Sequence, residues 1–164
     1  MSIRKECNHG LFPLLQFVLI SPSTQPADPH LIGSDVLMYL YYGGMVLIAQ
    51  KSFQRAFDVL QMSFTMPVHA LHEIMVEIYK KYLLVSLIVH GDVSPLPKYT
   101  TPMLQRMMRS CCGPYHDFAN QFLKNKADDV ATALAKHKTL FEEESNYGLA
   151  HQAYEVIGVF PLLK

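Results

Sequence analysis

Little in this chain announces chemistry. Its three cysteines, Cys7, Cys111 and Cys112, are odd in number and two are adjacent, which makes a poor disulfide framework. Free thiols suit a reducing compartment such as cytosol or nucleus. Charge of either sign is not in excess: 14 Lys and Arg balance 14 Asp and Glu over 164 residues. That balance removes the electrostatic case for nucleic acid or an anionic membrane surface as partner. No apolar run spans a bilayer; the most apolar stretch beyond the N-terminal region, residues 82–89, is far too short. Sustained period-two alternation is missing, which argues against a sheet. No Gly-x-Gly-x-x-Gly or phosphate loop occurs, since Gly43-Gly44 is not followed by Lys-Ser or Lys-Thr. No His-x-His occurs either.

What is present is a core. Half of the residues are apolar, enough for one packed domain and too many for a disordered tail. Arg4 and Lys5 precede an apolar run over residues 11–20, a superficial likeness to a secretory signal. Glu6, Pro13 and Gln16 interrupt that pattern, and free thiols argue against export. Pro22, Pro26 and Pro29 then mark residues 21–29 as a loop or linker.

Beyond the linker the apolar residues recur at helical spacing. Ser34 is a suitable N-cap, with Asp35 near the positive end of the dipole, for a helix reaching Gln50. A second helix is expected over 52–64, with Phe53, Ala56, Phe57 and Leu60 on one face. Pro67 is expected to open the longest helix, ending at Gly91 in a left-handed C′ position. On that helix Val68, Leu71, Ile74, Met75, Ile78, Tyr82, Val85 and Val89 form the apolar stripe. Glu73, Glu77, Lys80 and Lys81 lie mostly off it, with Glu77 and Lys81 at the favoured i,i+4 spacing. Thr101-Pro102 reads as a cap and first-turn proline for a short helix to Arg109, and Gly113-Pro114 as a break before a helix over 115–123. Helices over 127–142 and 145–157 complete the reading.

Paired helices of this length suggest a repeat. Gly44, Leu47, Ala56, Leu60 and Ser63 fall at tetratricopeptide-repeat spacings, with small residues where two antiparallel helices cross closely. Gly43 and Gly44 each cost about 1 kcal/mol inside a helix, a cost that a close crossing explains. The expected fold is therefore all-α, a right-handed solenoid of antiparallel helix pairs. Charge is uneven along it: residues 67–126 hold 7 basic and 4 acidic residues, and residues 127–164 hold 3 and 6. Two solvated faces explain this, as does attraction between the blocks.

Each reactive-looking group has a plainer reading. His69, His72 and Glu73 invite a metal, but their order is neither His-Glu-x-x-His nor its inverse, and only the distant His90 remains as a further ligand. Cys111-Cys112 has Arg106 and Arg109 nearby to lower a thiol pKa and His116 close in sequence, yet no matched triad; a structural pair at a helix end is the simpler account. Tyr39, Tyr41, Tyr42, Tyr79 and Tyr82, with nine methionines, suit either a partner groove or inter-repeat core. No catalytic, cofactor-binding or metal residue is assigned, and no cofactor is expected.

Certain motifs are more specific. Tyr41-Tyr42-Gly43-Gly44-Met45, the run from Tyr79-Lys80-Lys81-Tyr82 to Ile88, and Leu96-Pro97-Lys98-Tyr99-Thr100 follow one another at set distances. With Gly113-Pro114-Tyr115 and Gly148-Leu149-Ala150-His151-Gln152, they resemble the subunit-three family of the COP-nine signalosome, over roughly residues 36–152. The resemblance implies a non-catalytic PCI-type scaffold of helical repeats, followed by a winged helix and a C-terminal bundle helix. It also implies a complex that removes the ubiquitin-like modifier Nedd from cullin–RING ubiquitin ligases, with the metalloprotease chemistry in another subunit. The implied partners are other signalosome subunits and, indirectly, cullin–RING ligases, with neither nucleic acid nor membrane, in nucleus and cytoplasm.

The expected organisation is a divergent segment and linker over 1–32, repeats over 33–157 with the start of a PCI module from about 113, and a divergent tail over 158–164. On this reading the chain is a middle piece of such a subunit, without the winged helix and bundle helix. The alternatives are a tetratricopeptide-like adaptor gripping peptide tails, or a PCI subunit of the proteasome lid or the translation initiation complex.

Overall fold

A computed structural model describes residues 29–65, 73–98 and 100–157, with the side chains of 29–34 excepted. Every regular element among them is helical: α1 (Pro29–Ala49), α2 (Phe53–Ser63), α3 (Glu73–His90), α4 (Pro102–Cys111), α5 (Gly113–Leu123), α6 (Ala127–Lys136), α7 (Lys138–Glu143) and α8 (Tyr147–Val156). The all-α expectation holds for these residues.

Local chemistry fixes most of the boundaries. Thr101 caps α4 by accepting from the Leu104 N–H at 3.4 Å, with Pro102 in the first turn where its missing donor matters least. Gly91 ends α3 at φ 68°, the left-handed geometry glycine adopts without penalty. Three other ends reach the same geometry without glycine, Asn125 doing so after α5 at φ 56°. After α1, Lys51 sits at φ 57°, and the Ser52 N–H donates to the Leu47 carbonyl while Lys51 N–H donates to that of Ile48. After α7, Ser145 repeats the pattern, with Asn146 N–H reaching the Phe141 carbonyl at 2.7 Å. These are Schellman closures that satisfy the last carbonyls of each helix.

Two expected helix boundaries need correction. Helix α1 already includes Pro29, so Ser34 is inside the helix and not its N-cap. A serine inside a helix costs only a fraction of a kcal/mol, so the helical pattern of its neighbours carries through it. The single helix expected over 127–142 is two, α6 and α7, divided at His137 (φ −102°, ψ 12°), whose ring bonds Asp117 on α5 at 2.8 Å. The start expected at Pro67 lies outside the described residues, as do most of the linker and the apolar run over 11–20.

Helix α3 is the centre of the molecule. It packs against α1, α2, α4, α5 and α8. Tyr82, Leu83, Leu84, Val85 and Leu87 are all essentially inaccessible to solvent, so consecutive residues on every side of the helix are covered. A helix apolar all round is a buried one. The α1–α2 pair is built as the repeat spacing required: a Cβ on Gly44 would stand 2.6 Å from Leu60 Cδ2 and 3.0 Å from Cγ, so the two helices touch through glycine. Phe57 stacks on Tyr82 at 5.0 Å, and Phe64 meets the same ring edge-on at 5.2 Å, joining α2 to α3. No helix among the described residues is long and apolar enough to cross a membrane.

Candidate functional site

The most unusual chemistry in the fold is two adjacent buried lysines at the middle of α3. The sequence pattern set Lys80 and Lys81 off the apolar stripe; in the structure they are 7% and 5% exposed. The reason is the packing of α5 and α8, which join α1, α2 and α4 around α3 and cover its middle. Long lysine stems bury readily, but each ammonium then needs partners.

Those partners come from the far end of the sequence. Lys80 Nζ donates to Glu144 Oε1 at 2.7 Å and to Glu77 Oε1 at 2.6 Å. Glu77 thus pairs with Lys80 at i,i+3, not with Lys81 at i,i+4. Tyr115 on α5 donates its hydroxyl to Glu144 Oε2 at 2.5 Å and accepts from Asn146 Nδ2 at 2.7 Å. Asn146 Oδ1 in turn accepts from Lys81 Nζ at 2.9 Å. One connected polar network therefore ties α3, α5 and the α7–α8 junction together. Through Lys80 and Glu144 the basic block meets the acidic block, so attraction between them is realised at this point.

The two ammoniums differ. Burial works to lower the Lys80 pKa, but hydrogen bonds to Glu144 and Glu77 outweigh it, and the group sits above the ordinary lysine value. Lys81 has one hydrogen-bond partner among the described residues and the Tyr41 ring 5.2 Å away; burial prevails and its pKa is lowered. Burial and the bond to Glu144 both push Tyr115 upward, so it stays a neutral hydroxyl.

The sequence candidates fall elsewhere. Cys112 is fully buried, and burial pushes its thiol up to about 12, the reverse of what neighbouring arginines were expected to do. Cys111 is exposed. His116 faces the Tyr79 hydroxyl at 3.2 Å instead of a cysteine, and burial followed by Arg109 lowers its pKa. His90 packs edge-on against Phe57 at 4.7 Å. Glu73 is exposed, and His69, His72 and Cys7 lie outside the described residues. Among the described residues no three His, Cys, Asp or Glu side chains gather as metal ligands would.

The tyrosines divide between the two roles considered for them. Tyr79 and Tyr82 are core; Tyr39 and Tyr42 are exposed on α1 with Met38, Met45 and Val46. Five of the seven large apolar side chains exposed among the described residues therefore lie on one helix, an outer face of interface composition. Glu144 and Asn146 were not singled out from the sequence, because nothing distinguishes Glu144 from Glu142 and Glu143 before the fold turns it inward.

Comparison with known proteins agrees with this architecture. Residues 14–104 match the family described as COP9 signalosome complex subunit 3, N-terminal helical repeats. Among curated relatives, the COP9 signalosome complex subunit 3 of Dictyostelium discoideum is 33% identical over 149 residues, 91% of this chain and 35% of that protein. The subunit 3 of Drosophila melanogaster is 36% identical over 129 residues, 79% of this chain and 29% of that protein. The chain thus spans about a third of the length of these relatives. The buried helix around Lys80-Lys81 and the glycine crossing of α1 and α2 both lie within the matched residues, and the chain belongs to the COP9 signalosome subunit 3 family, within its N-terminal helical repeats.

Proposed function

We propose that the chain acts as a non-catalytic scaffold within the signalosome, holding neighbouring subunits in register while another subunit removes Nedd from cullin–RING ligases. The observation that carries this reading is how the fold spends its polar groups. The most chemically capable side chains, Lys80, Lys81, Tyr115 and Glu144, are bonded to one another and rigidify the junction of α3, α5 and α8. The exposed face of α1 is apolar and aromatic, the composition of a binding surface.

In this reading the helix pairs stack as a right-handed solenoid, and a winged-helix unit belongs after α8. The repeat domain occupies 33–157, with the PCI module starting near 113; the family match, which begins at residue 14, reaches into the segment before it. The residues over 158–164 are a divergent tail. The chain works with other signalosome subunits in nucleus and cytoplasm, needs no cofactor, and contacts neither nucleic acid nor membrane. A free peptide-gripping adaptor is less suited to it, because the long helix carries only two lysines and no Arg or Asn to line a carboxylate-gripping face.

The test is affinity purification of the tagged full chain from cells, with quantitative mass spectrometry and an assay for removal of Nedd from a cullin. Signalosome subunits in fixed ratio to the chain, with cleavage present only when the metalloprotease subunit is recovered, is the expected result. Recovery of proteasome-lid or initiation-complex subunits in their place, or cleavage by the chain alone, would overturn the proposal.

A further inference from the structure

Lys81 does more than brace the junction. Its ammonium lines a cleft of about 250 Å³ between the C-terminal half of α1 and the start of α8, walled by Met45, Ile48, Ala49 and Leu149. Small-molecule sites typically run to about 300–1,000 Å³, so this volume suits a single side chain. Two polar groups in it are left with bonding capacity. Lys81 Nζ carries three donors and uses one, on Asn146. Gln152 Oε1 is shielded from solvent and accepts no hydrogen bond. A buried acceptor without a donor is costly, so a donor brought into the cleft is stabilised there.

The cleft opens onto the apolar face of α1. Met38, Tyr42, Met45 and Ala49 recur at intervals of four, three and four, one stripe along the helix that runs into the cleft at Met45 and Ala49. Resting on the scaffold reading above, we propose that this stripe and cleft together form a docking site for an amphipathic helix of another signalosome subunit. The apolar face of that helix lies on Met38, Tyr42 and Met45, and one Asp or Glu enters the cleft to pair with Lys81. Charge complementarity selects the acid: the cleft offers a desolvated cation bonded, among the described residues, to Asn146 alone, and Gln152 takes a hydrogen bond from a donor on the same helix. Helix-in-groove recognition lays the i, i+3/i+4 and i+7 anchors of the incoming helix on such an apolar surface. The desolvation that lowers the Lys81 pKa would be offset by the incoming carboxylate, as Glu144 and Glu77 do for Lys80.

The experiment co-expresses the full chain with the other signalosome subunits and measures subunit binding for Tyr42→Glu, Met45→Glu, Lys81→Gln and Lys81→Arg. Circular dichroism and thermal melts of each variant confirm the fold. Tyr42→Glu and Met45→Glu change exposed positions, and each is expected to weaken binding at least tenfold. Lys81→Gln is expected to weaken binding similarly, and Lys81→Arg less than threefold, because only the former deletes the charge. A zero-length carbodiimide is expected to join Lys81 to an Asp or Glu of another subunit. The proposal is overturned if both glutamate variants bind within twofold of the parent while the parent recovers the subunits, an outcome that leaves the scaffold reading standing. It is equally overturned if Lys81 is joined to Glu6 or Asp28 of its own chain, which makes the occupant an internal segment. If the parent recovers no signalosome subunit, the scaffold reading fails, and this inference fails with it.

Discussion

Adding one methyl group at either of two adjacent glycines should move stability in opposite directions. A Cβ on Gly43 would meet nothing nearer than Val59 Cγ1 at 3.9 Å, ordinary contact. Gly43→Ala therefore gains helix propensity alone and should stabilise the fold by about 0.5–1 kcal/mol. A Cβ on Gly44 would stand 2.6 Å from Leu60 Cδ2 and 3.0 Å from Leu60 Cγ, and Leu60 is fully buried. Overpacking of that kind costs about 1–3 kcal/mol, which exceeds the propensity gain. Gly44→Ala should therefore destabilise by about 1 kcal/mol net, and the two alanine variants should differ by about 2 kcal/mol. In urea, with a slope of about 2 kcal/mol/M, that is a midpoint difference of roughly 1 M at unchanged slope. Gly44→Ala combined with Leu60→Val should be less destabilised than the sum of the two, because the valine gives back the space. Equal stabilisation by both alanines would refute a glycine-mediated crossing of α1 and α2.

The remaining predictions concern the polar groups. Lys80→Met strands Glu144 and Glu77 beside a buried apolar surface and should cost about 1–3 kcal/mol by urea denaturation, whereas Lys136→Met, which breaks an exposed pair with Asp117, should cost less than about 1 kcal/mol. Tyr115→Phe leaves Glu144 and Asn146 each short of a partner and should cost about 1–3 kcal/mol, with α5 amides exchanging faster and α2 amides unchanged. His116 has a depressed pKa, so its stabilising contribution is complete above its ordinary value of 6.5 and is lost as pH falls through the folded-state value. His116→Gln should flatten the fall in stability below that pH, and an unchanged acid slope would remove His116 as its source. Tyr79 and Tyr82 are raised to about 12, so their contribution is complete below the ordinary value of 10.0 and disappears as pH rises through 12. Difference spectra against Tyr79→Phe and Tyr82→Phe should accordingly show the tyrosinate absorbance of these two rings only with unfolding; its appearance near 10 in the folded chain would contradict this.

How far the sequence foretold the structure depends on whether the relevant signal is local. The Thr101 cap, the Gly91 terminus and the glycine crossing were all legible, because each is set by residues within a turn or by one close contact. Lys51 and Ser145 adopt the same left-handed geometry as Gly91 but carry side chains that do not advertise it. The division of 127–142 at His137 was hidden because its ring answers to Asp117, twenty residues earlier. The lysine junction was the largest miss. An apolar stripe with charges beyond it reads as one buried face, and only the arrival of α5 and α8 buries the second. Its partners, Glu144 and Asn146, lie 64 and 65 residues from their lysines, and no spacing rule reaches that far. By contrast the family motifs centred on Tyr79-Lys80-Lys81-Tyr82 were legible as a resemblance before their physical role was, and that role is to close the core from the inside.

The most direct test of the scaffold account is native mass spectrometry of the full chain co-expressed with the other signalosome subunits. The account predicts a discrete species with one copy of this chain bound to one or more of those subunits. It predicts that the same species survives when the metalloprotease subunit is catalytically inactivated, since holding other chains requires no chemistry. A chain found only as free monomer, with every other subunit assembled without it, would contradict the account.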